Sequence, residues 1–180
     1  MRHQAYAYCP PGLENVVLEE LRELGIRGRA QAGGVAFQGA PPALASVLLG
    51  ARAPSGLRLM LGETRAASAG DLLGGVRKMN LAPWLWPRQP TEVRITSRAS
   101  RLRGGQGLEK RVGTAIADAI RGPRRSASRP SRVPARFSGR IADNRAELSL
   151  DLAGEPLHKR GWRKATAKAP IRENLAACIV

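Results

Sequence analysis

The chain has 180 residues, 43% of them hydrophobic, which is enough for one medium domain or two small ones with their own cores. No apolar run approaches the roughly 20 residues of a membrane span, and MRHQAYAYCPPG at the start carries Pro10 and Pro11 where a secretory signal would be continuously apolar, so the cytoplasm is the default location. The 30 Lys and Arg against 14 Asp and Glu leave a net charge of +16, and 13 of the basic residues fall between Arg94 and Arg140, a concentration that points to a polyanionic partner.

Gln4 to Cys9 is predicted as a strand, broken by Pro10-Pro11-Gly12. Leu13, Val16, Val17, Leu21 and Leu24 have helical spacing, Glu14, Glu19, Glu20 and Glu23 populate the other face, and Gly25 stands where a C-terminal cap belongs. Two extended runs, Ile26 to Ala30 and Gly34 to Gln38, turn around Ala32-Gly33; Pro41 and Pro42 open a second helix to Ala51, and Leu57 to Leu61 is another strand. The order β-α-β-β-α-β is that of a ferredoxin-like domain. A second unit begins near Glu63, with a helix from Asp71 (the candidate N-cap), a loop from Leu81 to Pro90 carrying Trp84 and Trp86, and a strand over Glu92 to Ser97. Leu108, Val112, Ile116 and Ile120 mark a further helix, and Pro123 to Pro134 is a basic loop. Ala135 to Ile141 and Arg145 to Leu152 then form a hairpin around Asp143-Asn144.

In RLRGGQGLEKRVGTAIADAI, the cations Arg101, Arg103, Lys110 and Arg111 surround a helix start, where positive charge opposes the helix dipole unless an anion is bound. Backbone N–H groups after Gly104, Gly105 and Gly107 would suit a nucleic-acid phosphate, whereas GGQG is followed by no GK[ST] and is not a P-loop. Trp84, Trp86 and Trp162 are core or interface anchors more readily than base-stacking platforms. Cys9 and Cys178 have no CxxC partner, His3 and His158 stand apart, and no catalytic or metal-binding constellation emerges.

The stretches DLAGEPLHKRGWR and KAPIRENLAA resemble the junction before the catalytic domain in RNA guanine-N2 methyltransferases, notably those acting on large-subunit ribosomal RNA, with related enzymes acting on tRNA. Upstream, GLENVVLEELRELG, GGVAFQG and VGTAIADAI are similar to that family's N-terminal regions. The resemblance implies an α+β chain: a ferredoxin-like domain over residues 1–62, a THUMP RNA-binding domain over 63–165, and over 166–180 the start of a linker helix toward a methyltransferase domain. It implies structured RNA, expected to be ribosomal RNA, as partner, met in concert with a methyltransferase domain in cis or in trans; a freestanding THUMP adaptor and the equivalent part of a tRNA enzyme are the alternatives. S-adenosylmethionine is the cofactor of the parent family, but neither its glycine-rich loop nor the N/D-P-P-[YF] motif occurs here, so no catalytic residue and no cofactor site is expected in this chain. Leu157, His158, Arg160, Gly161, Trp162 and Arg163 match the junction, and Pro170, Glu173 and Leu175 match the helix that follows. Lys159, Arg160 and Arg163 join Arg101, Arg103, Lys110 and Arg111 as the candidate RNA-binding set. In the last helix Ile171, Leu175 and Ile179 form an apolar stripe seeking a partner surface, with Arg172, Glu173 and Asn174 on the wet side.

Overall fold

The computed structural model describes residues 1–86, 89–120, 133–159, 161 and 170–179. The chain is α+β and divides into two compact units, Met1–Leu59 with Glu155–Val180, and Met60–Gly154. The sequence-based division at 62/63 lies close to the first crossing point, while residues from Glu155 onward group with the first unit.

In the first unit β1 (His3–Tyr8), α1 (Glu14–Glu23), β2 (Gly28–Gln31), β3 (Gly34–Gly39), α2 (Pro41–Gly50) and the start of β4 (Gly56–Arg65) follow the ferredoxin-like order, with strands arranged β2-β3-β1-β4. All three pairings are antiparallel, with Ala5 opposite Phe37 and Leu59. Alternation sends Ala5, Ala7, Val35, Phe37, Leu57 and Leu59 into a core shared with Val17, Leu21, Leu44 and Val47 of the helices. Val16, grouped with the apolar face by spacing, is instead exposed. As expected, Gly25 ends α1: at φ 74° it lets the Ile26 amide donate back to Leu21 O at 2.8 Å. Gly34 allows β1 and β3 to close, because a Cβ there would lie 2.3 Å from Ala7 O.

Two of the acidic residues assigned to the wet face of α1 do more than solvate it. Glu14 accepts from the amides of Gly12 at 2.8 Å and Gly33 at 2.9 Å, and Glu20 from those of Arg52 at 2.7 Å and Ala53 at 2.9 Å. Backbone hydrogen bonds, from Gly33 above all, hold the Glu14 carboxyl below the usual carboxylate range.

The second unit contains the rest of β4, then α3 (Ala69–Lys78), β5 (Thr91–Arg98), α4 (Gln106–Ala119), β6 (Ala135–Ala142) and β7 (Arg145–Asp151), with strands ordered β4-β7-β6-β5. β5 and β6 run parallel, joined through α4, and β6 pairs antiparallel with β7 across Asp143 and Asn144, at φ 48° and 59°. Positive φ at both central residues is the type I′ signature that the Asp-Asn pair predicts. Ser68, not Asp71, caps α3: its Oγ accepts from the Asp71 amide at 3.1 Å while the Asp71 carboxylate accepts from the Ser68 amide at 3.1 Å, a reciprocal capping box. Within the expected 81–90 loop, Ala82–Trp84 make a 3₁₀ turn anchored by buried Leu81 and Leu85.

α3 and α4 supply Leu72, Leu73, Val76, Leu108, Val112, Ala115 and Ile116 to a core with Phe137, Ile141, Ala146, Leu148 and Leu150. The paired register puts Val93, Ile95, Phe137 and Ile141 on the helix-covered face, and Arg94, Thr96, Arg98, Ser138 and Arg140 on the other.

The last helix, α5 (Glu173–Ala177), departs from its predicted polarity. Asn174 is 1% exposed and donates through Nδ2 to Ser55 Oγ at 3.1 Å, while Ile171 and Ile179 are 49% and 76% exposed. Spacing identified the stripe, but the hydrogen bond to Ser55 decides which side turns inward.

Candidate nucleic-acid interface

β5 ends in a turn that the sequence marks only by small and basic residues. Ala99 takes φ 47°, which reverses the chain after Arg98 and costs about 1–2 kcal/mol for a residue with a Cβ. Side-chain bonds hold the reversal. Ser97 Oγ accepts from the Gly104 amide at 2.9 Å, Asn144 Oδ1 from the Arg101 amide at 3.0 Å, and Ser100 Oγ from the Asn144 amide at 3.1 Å. Gly104 is required by contact, since a Cβ would lie 2.4 Å from Ile95 O. Glu109, in the first turn of α4, accepts from the Ile95 amide at 2.8 Å and so ties the helix start to the edge strand.

This framework leaves a cleft of about 340 Å³ lined by Ser97, Arg98, Ala99, Ser100 and Arg103. Arg98, Arg101 and Arg103 are exposed and have no ion-pair or hydrogen-bond partner for their guanidinium groups among the described residues. α4 begins at Gln106 after Gly105 with no side-chain cap, so its first amides face the same basic loop. Anions are favoured there by both the dipole and the cations.

The candidate set is not one cluster. Arg101 and Arg103 lie in the β5–α4 loop, whereas Lys110 and Arg111 are exposed on α4, in the helix layer. Lys159 belongs to the first unit and is exposed, with Glu155 at 3.8 Å from its ammonium. Arg160 and Arg163, with Trp162 and most of the Pro123 to Pro134 loop, lie outside the described residues. Trp84 is half-buried and Trp86 is 46% exposed.

Sequence reading passed over three cations that the sheet brings together: Arg94, Arg98 and Arg140, all exposed on the helix-free face of the second unit. The i, i+2 alternation of Glu92, Arg94, Thr96 and Arg98 was the available signal, but it does not say which face the helices cover. Among the described residues no group of three His, Cys, Asp or Glu could hold a metal ion, and no helix is long and apolar enough to cross a membrane.

Residues 4–55 match the RlmL ferredoxin-like domain family. Over its full length the chain is 35% identical to a ribosomal RNA large subunit methyltransferase K/L of Cellvibrio japonicus, and over 99% of its length 34% identical to that of Stutzerimonas stutzeri. It spans about a quarter of those proteins, 24% and 25% of their lengths. A crystal structure from Listeria monocytogenes, described as a predicted N6-adenine-specific DNA methylase, superposes on 99% of this chain with a TM-score of 0.85 at 26% identity, and the chain covers 48% of it. The chain is thus similar over residues 4–55 to the RlmL ferredoxin-like domain family and, over its whole length, to about a quarter of the large-subunit ribosomal RNA methyltransferases K/L.

Proposed function

We propose that the chain is the RNA-binding portion of an S-adenosylmethionine-dependent ribosomal RNA guanine-N2 methyltransferase of the cytoplasm. In this reading Met60–Gly154 forms the THUMP domain, which positions structured RNA for a catalytic domain elsewhere in the protein. The observation that carries it is the 35% identity, sustained over the whole chain, with one part of a large-subunit ribosomal RNA methyltransferase. The unpaired cations of the second unit supply the physics, because neutralising phosphates releases counterions and yields affinity without base reading.

S-adenosylmethionine belongs to the parent reaction, but the residues at the β5–α4 cleft do not fit it. Arg98 and Arg103 line that cleft with two serines and no carboxylate, so a sulfonium cation would meet like charge and the ribose hydroxyls would find no acidic acceptor. The chain's own contribution is to bind and orient RNA.

Equilibrium binding to structured fragments of large-subunit ribosomal RNA, with tRNA and duplex DNA of equal length alongside, tests the proposal. The expected result is a preference for the ribosomal fragments and a steep fall in affinity with salt. Equal affinity for DNA and RNA would refute it.

A further inference from the structure

The helix-free face of the second unit carries an arrangement that neither the ferredoxin-like match nor the basic loop explains. Along edge strand β5, Arg94 and Arg98 point to this face four residues apart, about 13 Å at ~3.3 Å per residue. Arg140 of β6 pairs in register with Thr96, between the two, on the neighbouring strand about 4.8 Å away. The three guanidinium groups therefore form a triangle on one exposed surface, and none has a partner among the described residues.

Two neighbouring cations on the same face are neutralised: Arg136 pairs with Glu92 at 3.2 Å and Arg145 with Glu63. Glu147 stands opposite Arg140 in register on β7 and makes no ion pair with it. Folding has paired Arg136 and Arg145 and left Arg94, Arg98 and Arg140, with Arg65 at the end of β4, without a carboxylate partner among the described residues. Arg98 also lines the cleft with Arg103, so the bare face and the β5–α4 loop form one basic track, turned at Ala99.

We propose that this track, with Arg94, Arg98 and Arg140 at its centre, is the surface that contacts RNA, and that it grips the backbone phosphates of a base-paired segment. The inference rests on the RNA-binding reading above and assigns its site. Charge complementarity selects a polyanion, and three guanidinium groups spread over ~13 Å exceed what one phosphate group occupies. Among the described residues the face bears Thr96, Ser138 and Ala142 beside the arginines and no aromatic side chain, so they build no stacking platform of the kind that holds unpaired bases. A shallow, hydroxyl- and guanidinium-bearing surface suits an A-form helix, recognised through phosphates and 2′-hydroxyls. Lys110 and Arg111, in the helix layer, are peripheral to this track.

The test compares two charge-matched triple variants on a hairpin RNA from the large subunit: Arg94→Gln with Arg98→Gln and Arg140→Gln, and Arg77→Gln with Lys110→Gln and Arg111→Gln. All six residues are exposed, and unfolding curves check that both variants retain the fold. The sheet-face variant should lose about a hundredfold in affinity at ~0.1 M salt and show a salt slope shallower by about 2 to 3, while the helix-layer variant changes less than about threefold. Replacing the same three sheet-face arginines by Lys, which keeps the charge, should restore the slope. Equal losses in the two variants, or a larger loss in the helix-layer one, would overturn the assignment and leave RNA binding standing; a native chain that binds no RNA would end both. A tighter fit to single-stranded than to hairpin RNA would also overturn it.

Discussion

Glu109 offers the sharpest perturbation of the site, because one carboxylate does two jobs with opposite signs for stability and binding. It takes the Ile95 amide at 2.8 Å on the edge of the sheet, and it places negative charge in the first turn of α4. A hydrogen bond to a charged group contributes about 1.5–3 kcal/mol, and a carboxylate near a helix N-terminus about 0.3–1 kcal/mol. Glu109→Ala should therefore cost the second unit about 2–4 kcal/mol, leaving a backbone N–H without its acceptor. Glu109→Gln keeps an acceptor and should cost only about 1 kcal/mol. For RNA the sign reverses. A carboxylate roughly 10 Å from a bound phosphate repels it by about 0.4 kcal/mol in water, so Glu109→Gln should bind RNA about twofold more tightly at low salt. Urea unfolding gives the first pair of numbers and fluorescence anisotropy with labelled RNA the second. If Ala and Gln variants were equally stable, the bond to Ile95 would not be what ties α4 to the strand, and if Glu109→Gln weakened RNA binding in a fully folded chain, the electrostatic picture of the loop would be wrong.

Other predictions concern separate parts of the chain. Ser55→Ala should cost about 1–2 kcal/mol by stranding Asn174 Nδ2, and the double variant with Asn174→Leu should recover most of it, because the buried Asn174 Oδ1 has no partner to lose; denaturant titration measures both. The depressed Glu14 carboxyl contributes stability that is complete above the ordinary carboxylate pKa and lost as pH falls through its lower folded value, so Glu14→Gln should flatten the acid side of the stability profile of the first unit. The Cys9 thiol is pushed up to about 11, first by burial and then by the Glu14 and Cys178 charges, so alkylation of the native chain at about pH 8 should be slow at Cys9 and accelerate on unfolding. Calorimetry should detect no saturable S-adenosylmethionine binding by these 180 residues at micromolar concentrations, and a heat of binding would mean that a cofactor site lies among them.

Where local chemistry decides structure, the sequence was readable. The ferredoxin-like element order, the Gly25 cap and the Asp143-Asn144 hairpin each follow from residues within a few positions of one another. Non-local partners were not readable. Glu14 and Glu20 look like solvated helix charges until amides 19 and more residues away come to meet them, and Asn174 looks polar and outward until Ser55, 119 residues earlier, takes its hydrogen bond. The same limit hid the bare sheet face: charge density marks the stretch from Arg94 to Arg140, yet the division between the helix layer and the bare sheet depends on how α4 crosses from β5 to β6. Only the register shows that Arg94 and Arg140, 46 residues apart in sequence, share a surface.

Whether this chain holds large-subunit ribosomal RNA is decided by ultraviolet crosslinking in cells followed by sequencing of the recovered nucleic acid. The expected result is strong enrichment of a confined, base-paired region of the large-subunit ribosomal RNA, with crosslinked peptides from β5, the β5–α4 loop or β6, and a marked loss of signal when Arg94, Arg98 and Arg140 are replaced together by Gln. Recovery dominated by DNA, or RNA spread evenly over transcripts and indifferent to those three residues, would contradict it.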